Sequence, residues 1–67
     1  MKDYFSIVDD ESKILITSSG ERFELSNDGV RTCYIWDIDD ELKISIKDKT
    51  ITNKDLDETV EILNRYN

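Results

Sequence analysis

Apolar and polar positions alternate with a period of two through the first two thirds of the chain. Near its end a three-to-four-residue spacing takes over. The alternation predicts strands over 4–8, 13–17, 22–25, 30–38 and 42–46, and the longer period predicts a helix over 53–66. Asp9-Asp10-Glu11-Ser12 is turn chemistry between the first two strands. A two-residue turn on Ser19-Gly20 pairs Ile16 with Phe23 and Ile14 with Leu25 on one face, leaving Leu15 and Thr17 on the other.

Ser26-Asn27-Asp28-Gly29 is the strongest turn signal, and as a four-residue loop it sets Val30 opposite Leu25. Every second residue from Val30 then faces the core: Thr32, Tyr34, Trp36 and Ile38. A three-residue loop at Asp39-Asp40-Glu41 pairs Ile38 with Leu42, Trp36 with Ile44 and Tyr34 with Ile46. A loop one residue shorter or longer would drive Asp37 into the core unpaired, so Trp36 is expected to be buried. The first strand has two registers. Simple loop geometry turns Phe5 and Ile7 inward, whereas the likeness of residues 8–16 to residues 38–46 turns Val8 inward.

For the terminal segment, Thr52 serves as N-cap with Asp55 three residues on, and Ile51 and Leu56 are spaced as a hydrophobic staple. Leu56, Thr59, Val60, Ile62, Leu63 and Tyr66 form one stripe of the expected helix, with Asp57, Glu58, Glu61, Asn64 and Arg65 opposite. The expected fold is α+β: a small antiparallel β-meander of about five strands with one C-terminal α-helix packed on one face, in a single domain over 1–67. One helix is about 10 Å across and five strands span about 19 Å, so the sheet must curl or the protein must self-associate. The outer face, with Leu15, Cys33 and Ile35, is the candidate surface for a homodimer.

Composition narrows the chemistry. With 67 residues the chain makes one small core, and with one cysteine and no histidine it has neither a disulfide framework nor a Cys/His metal site. The opening Met-Lys-Asp-Tyr-Phe-Ser does not read as a signal peptide, no stretch reaches bilayer length, and a lone cysteine fits a reducing cytoplasm. Sixteen acids against nine bases give a net charge of −7, which disfavours nucleic acid or an anionic membrane as the direct partner. The same balance serves solubility, and it also suits a basic protein surface as partner.

Catalytic motifs are missing: there is no histidine for a nucleophile pair and no glycine-rich phosphate loop, because Gly20 and Gly29 are the only glycines. The expectation is a protein that is not an enzyme and uses no cofactor. Asp37-Ile38-Asp39-Asp40-Glu41 begins like a calcium loop, but Leu42 stands where glycine is required and Asp48 where a bidentate glutamate is needed, so no metal is assigned. Cys33 reads as a small structural residue; the alternative is a thiol activated by Lys47 across the strand.

What remains is the placement of carboxylates. The meander puts Asp9, Asp10, Glu11 and Asp28 at one end of the sheet and Asp39, Asp40 and Glu41 at the other, with Asp57, Glu58 and Glu61 along the exposed helix face. Each cluster alone reads as a solvated surface. Together, on a rigid scaffold, they read as partner-binding residues that imitate duplex phosphates and occupy a basic groove. In general character (tiny, acidic, rich in Asn, Asp, Lys and Ile) the chain resembles proteins of bacteriophages and mobile elements from AT-rich hosts. That resemblance is compositional and transfers no residues. It implies an inhibitor of the anti-CRISPR or DNA-mimic kind, acting on a host nuclease or other nucleic-acid-binding protein. The alternative is a self-associating structural or accessory module using the open sheet face.

Overall fold

The computed structural model describes residues 1–66, which form seven antiparallel strands and one short helix. These are β1 (Lys2–Asp9), β2 (Ile14–Thr17), β3 (Arg22–Glu24), α1 (Asn27–Cys33), β4 (Glu41–Ser45), β5 (Thr50–Asn53), β6 (Glu58–Glu61) and β7 (Asn64–Tyr66). The strands lie in the order β6-β5-β4-β1-β2-β3-β7, which corrects the expected five-strand meander with a packed C-terminal helix. No helix among the described residues is long and apolar enough to cross a membrane.

Two corners curl this sheet. β1 is shared: Lys2, Asp3 and Tyr4 pair with β4, the stretch from Phe5 to Asp9 pairs with β2, and a bulge falls between Phe5 and Ile7. Bulges bend a strand and raise its twist, which lets one strand serve two half-sheets. The second corner is Ile62-Leu63, a two-residue link between the opposite sheet edges β6 and β7. The Ile62 amide donates to the Lys49 carbonyl beside β5 (2.8 Å), and the next amide, Leu63, donates to the Glu24 carbonyl of β3 (2.8 Å). The sheet therefore folds over on itself around Phe5, Leu15, Phe23, Leu25, Leu42, Ile44, Ile51, Val60 and Ile62, with Val30, Cys33 and Trp36 packed in from α1 and its following loop.

The bulge also resolves the first strand, because it shifts the inward phase. Phe5 is inside below it, Val8 packs on the core above it, and Ile7 is exposed. In the β2–β3 hairpin the expected register is off by one. Leu15 pairs with Phe23 and Ile16 with Arg22, because Thr17 lies opposite Glu21, its amide donating to the Glu21 carbonyl (3.0 Å), and an odd number of residues, 18–20, makes the turn. Thr17 Oγ1 accepts the Glu21 amide across that loop (3.1 Å) and Gly20 takes a positive φ of 94°. The slip carries Leu15 and Thr17 into the core, with Ile14 and Ile16 half-buried.

The expected strand 30–38 is instead the end of α1 and a loop. Ser26 is an N-cap, its Oγ accepting the Gly29 amide (3.1 Å), and Thr32 Oγ1 donates to the Asp28 carbonyl one turn back (3.0 Å). The same Ser-Asn-Asp-Gly residues suit a turn or a helix start. The buried set decides for the helix, since Val30, Cys33 and Trp36 recur every three residues while Tyr34 and Ile38 are exposed.

The expected helix 53–66 is β6, β7 and the turn before them. Buried Asn53 sets that turn, its Oδ1 accepting the amides of Asp55 (2.9 Å) and Leu56 (3.1 Å), and Asp57 adopts φ 56°. Beyond it Val60 and Ile62 alternate inward against Ile51, and the supposed stripe residues Leu56 and Leu63 face out. Thr52, cast as an N-cap, pairs instead with Thr59 in the ladder, their hydroxyls 2.9 Å apart.

Candidate functional site

The loop 34–40 lies against the half of β1 that β4 does not reach. The Asp39 amide donates to the Phe5 carbonyl (2.8 Å) and the Phe5 amide to the Asp40 carbonyl (2.9 Å). Beneath the loop the Trp36 indole meets the Phe5 ring edge-on, with centroids 5.7 Å apart, and its Nε1–H donates to Glu58 Oε1 (2.8 Å). Trp36 is buried at 5 % exposure, as its expected role requires, though it reaches the core from a loop. At the near end Tyr34 donates its phenol proton to Asp10 in the β1–β2 turn. That bond, with burial and the Asp10 charge behind it, pushes the Tyr34 pKa up.

A second set of bonds stitches this loop to the β5–β6 turn. The Asp40 carboxylate accepts the Asp37 amide (2.9 Å) and Asn53 Nδ2 (2.9 Å). The Glu41 amide donates to Asp55 Oδ2 (3.0 Å), and the Lys54 amide to the Glu41 carbonyl (2.8 Å). Two separate turns thus make one hydrogen-bonded crest bearing Asp37, Asp39, Asp40, Glu41, Asp55, Asp57 and Glu58. Among the described residues its only ion pair is Glu41 with Lys2, at 4.0 Å. The same two turns and the residues leading into them expose Tyr34, Ile35, Ile38 and Leu56, at 56, 66, 69 and 43 %.

The sequence-predicted acidic residues are therefore regrouped. Asp39, Asp40 and Glu41 share the crest with Asp57 and Glu58, which were expected on a helix face. Asp9, Asp10 and Glu11 stay in the exposed β1–β2 turn, tied to the crest loop through Tyr34. The Glu11 amide and the Ser12 hydroxyl bond to Asp9 and lower its pKa against a smaller effect of burial. Asp28 and Glu61 come together elsewhere, on the two walls of a groove of about 370 Å³ between α1 and β6. Of the proposed self-association residues, Leu15 and Cys33 lie in the core, which corrects their placement on an outer face; Ile35 is on the surface.

Cys33 is correspondingly not an activated thiol. Burial, with the Glu58 charge as a smaller cause, pushes its pKa up to about 12. No group of three or more His, Cys, Asp or Glu side chains among the described residues is placed to hold a metal ion.

The alternation places Tyr34 and Ile38 in the core, where the structure has them exposed, and does not single out Asp55 as a site residue, whereas Asp37 is outward as expected. Asn53 followed by Asp55 and Asp57 carried a turn signal that the helical spacing of Leu56, Val60 and Leu63 overrode. Comparison with protein-family models, with curated proteins and with solved structures returns no match for this chain.

Proposed function

We propose that this protein is a small non-enzymatic inhibitor, of the DNA-mimic or anti-CRISPR kind, that occupies a basic surface of a host nuclease or other nucleic-acid-binding protein. The observation that carries the reading is the crest itself, in which hydrogen bonds join two acidic turns beside a buried tryptophan, holding the Asp40, Asp55 and Glu58 carboxylates and the backbone that bears Asp37, Asp39 and Asp57. Fixed charge loses little conformational freedom on binding. Tyr34, Ile35 and Ile38, exposed on the loop that bears Asp37 and Asp39, supply apolar area next to the charge, and protein interfaces combine the two. A cytoplasmic site of action agrees with the buried free thiol. Self-association is the second reading; it is left with Ile35 and the neighbouring Ile38, and a net charge of −7 opposes it.

The test uses the three crest carboxylates that neither accept a hydrogen bond nor make an ion pair within the described residues: Asp37→Asn, Asp39→Asn and Asp57→Asn combined. Asp39 and Asp57 have positive φ (72° and 56°), which asparagine tolerates well, so the variant keeps the fold. Captured from bacterial lysate, a genuine target is a nucleic-acid-binding protein that the wild type displaces from its nucleic acid. The triple variant should bind it about tenfold or more weakly, and added salt should loosen the wild-type complex. Salt-insensitive capture that the triple variant retains would eliminate the charge-mimic reading.

A further inference from the structure

We propose that the free edge of β6 accepts, by strand addition, an extended segment of a partner protein bearing lysine or arginine. β6 is the terminal strand on its side of the sheet. The bond from the Ile62 amide to the Lys49 carbonyl, with Glu61 opposite Thr50, fixes the phase of the β5–β6 ladder. In that phase Glu58 and Val60 turn their backbone groups toward β5, while Thr59 and Glu61 turn theirs away. Among the described residues, the N–H and C=O of Thr59 and Glu61 find no hydrogen-bond partner, so they present two donors and two acceptors in strand spacing.

Beside that edge lies the groove of about 370 Å³ whose other wall is Ser26, Asp28 and Thr32 of the α1 start. A strand added to β6 would run 4.7–4.9 Å from it, as neighbouring strands do. Charge selects the occupant. The Thr59 and Glu61 side chains are both exposed, so a residue added opposite Glu61 meets its carboxylate directly. Asp28 stands across the groove, its only ion pair an exposed one with Arg31 at 3.5 Å. Among the described residues Glu58 and Glu61 have no cation within 4 Å. A second copy of this chain would bring the same carboxylates to the seam, like charge against like charge. A basic extended segment is what fits.

This inference does not rest on the crest, because the edge works through backbone groups. The probe is a synthetic eight-residue peptide of alternating lysine and valine, with a charge-matched peptide of alternating lysine and proline as control. Amide hydrogen exchange of the full chain is followed residue by residue. Strand addition slows exchange at Thr59 and Glu61 about tenfold or more with the first peptide and leaves it unchanged with the second, which cannot extend a ladder. Thr59→Pro removes an outward donor and spares the β5 ladder, so it should weaken peptide binding about tenfold in a protein that still melts cooperatively. Glu61→Lys should weaken it independently, and the Asp37/Asp39/Asp57 variant should still show the protection at Thr59 and Glu61 with the valine peptide and none with the proline peptide. Protection confined to crest amides, equal protection by the proline peptide, or concentration-dependent protection without peptide would each overturn the proposal, the last by making the occupant a second copy.

Discussion

Asp3 shows how single residues hold this fold. Its side chain is buried in β1, where Oδ1 accepts the amides of Tyr4 (2.8 Å) and Ser19 (3.3 Å) and Oδ2 accepts the Ser19 hydroxyl. Burial alone would push its pKa up. Bonds from Ser19, Thr17 and Tyr4 together outweigh that and leave it below its ordinary 3.8. A carboxyl depressed in the folded state stabilises the protein above its unfolded pKa, and that contribution is lost as pH falls from about 3.8 through the folded value. Asp3→Ala removes the acceptor and leaves its donors unsatisfied, so at neutral pH it should cost about 1–3 kcal/mol in urea titrations. The variant should also lose less further stability between pH 4 and 2 than the wild type does. Its neighbour in logic is Asn53, another buried and hydrogen-bonded polar group, which joins the Asp40 carboxylate to the β5–β6 turn and so fixes the crest.

At the scale of elements, α1 is seven residues long, too short to be stable by propensity, so its start must be capped and its Val30–Cys33 side buried. Ser26→Ala should therefore cost about 1 kcal/mol in thermal or urea unfolding, while Ser26→Asp, which keeps a capping oxygen, should cost much less. The helix also marks where the sequence was legible. Strands 14–17, 22–24 and 41–45 were foreseen to within a residue or two, because β-branched alternation between polar turns has few competing readings. Residues 26–38 satisfied two periods at once: Val30, Thr32, Tyr34, Trp36 and Ile38 alternate, while Val30, Cys33 and Trp36 recur every three. Nothing local chooses between them, and the packing of Trp36 on Phe5 does. The terminal segment failed the same way, with Leu56, Val60 and Leu63 imitating a helix although Val60 and Ile62 are the buried pair. Acidic surface residues were legible as a class, since carboxylates rarely enter a core, but their grouping was not. It depends on which turns meet, and turns 37–41 and 53–57 meet only once residues 58–61 are a strand.

At the scale of the molecule, seven short strands and a seven-residue helix fit within 25 × 24 × 19 Å while carrying a net charge of −7. Most of the basic residues do not offset this locally. The ion pairs among the described residues are Lys2–Glu41, Arg31–Asp28 and Arg65–Glu21, and the last, at 2.7 Å, ties β7 to the β2–β3 loop. Hydrogen bonds bring two acidic turns, Asp37 to Glu41 and Asp55 to Glu58, into one part of the folded surface. Screening should then favour the folded state: raising sodium chloride from about 10 to 150 mM shortens the Debye length from about 30 to 8 Å, which relieves repulsion between exposed charges more than it weakens the few short pairs. The urea midpoint should rise over that range. In the Asp37/Asp39/Asp57→Asn variant the midpoint at low salt should already be higher and its rise smaller, because three of the repelling charges are gone. An equal salt response in the two proteins would place the repulsion away from the crest. A falling midpoint would mean that the three ion pairs outweigh it. The charge that suits this surface to a basic partner is, on this account, a charge that the free protein holds together at some cost to its own stability.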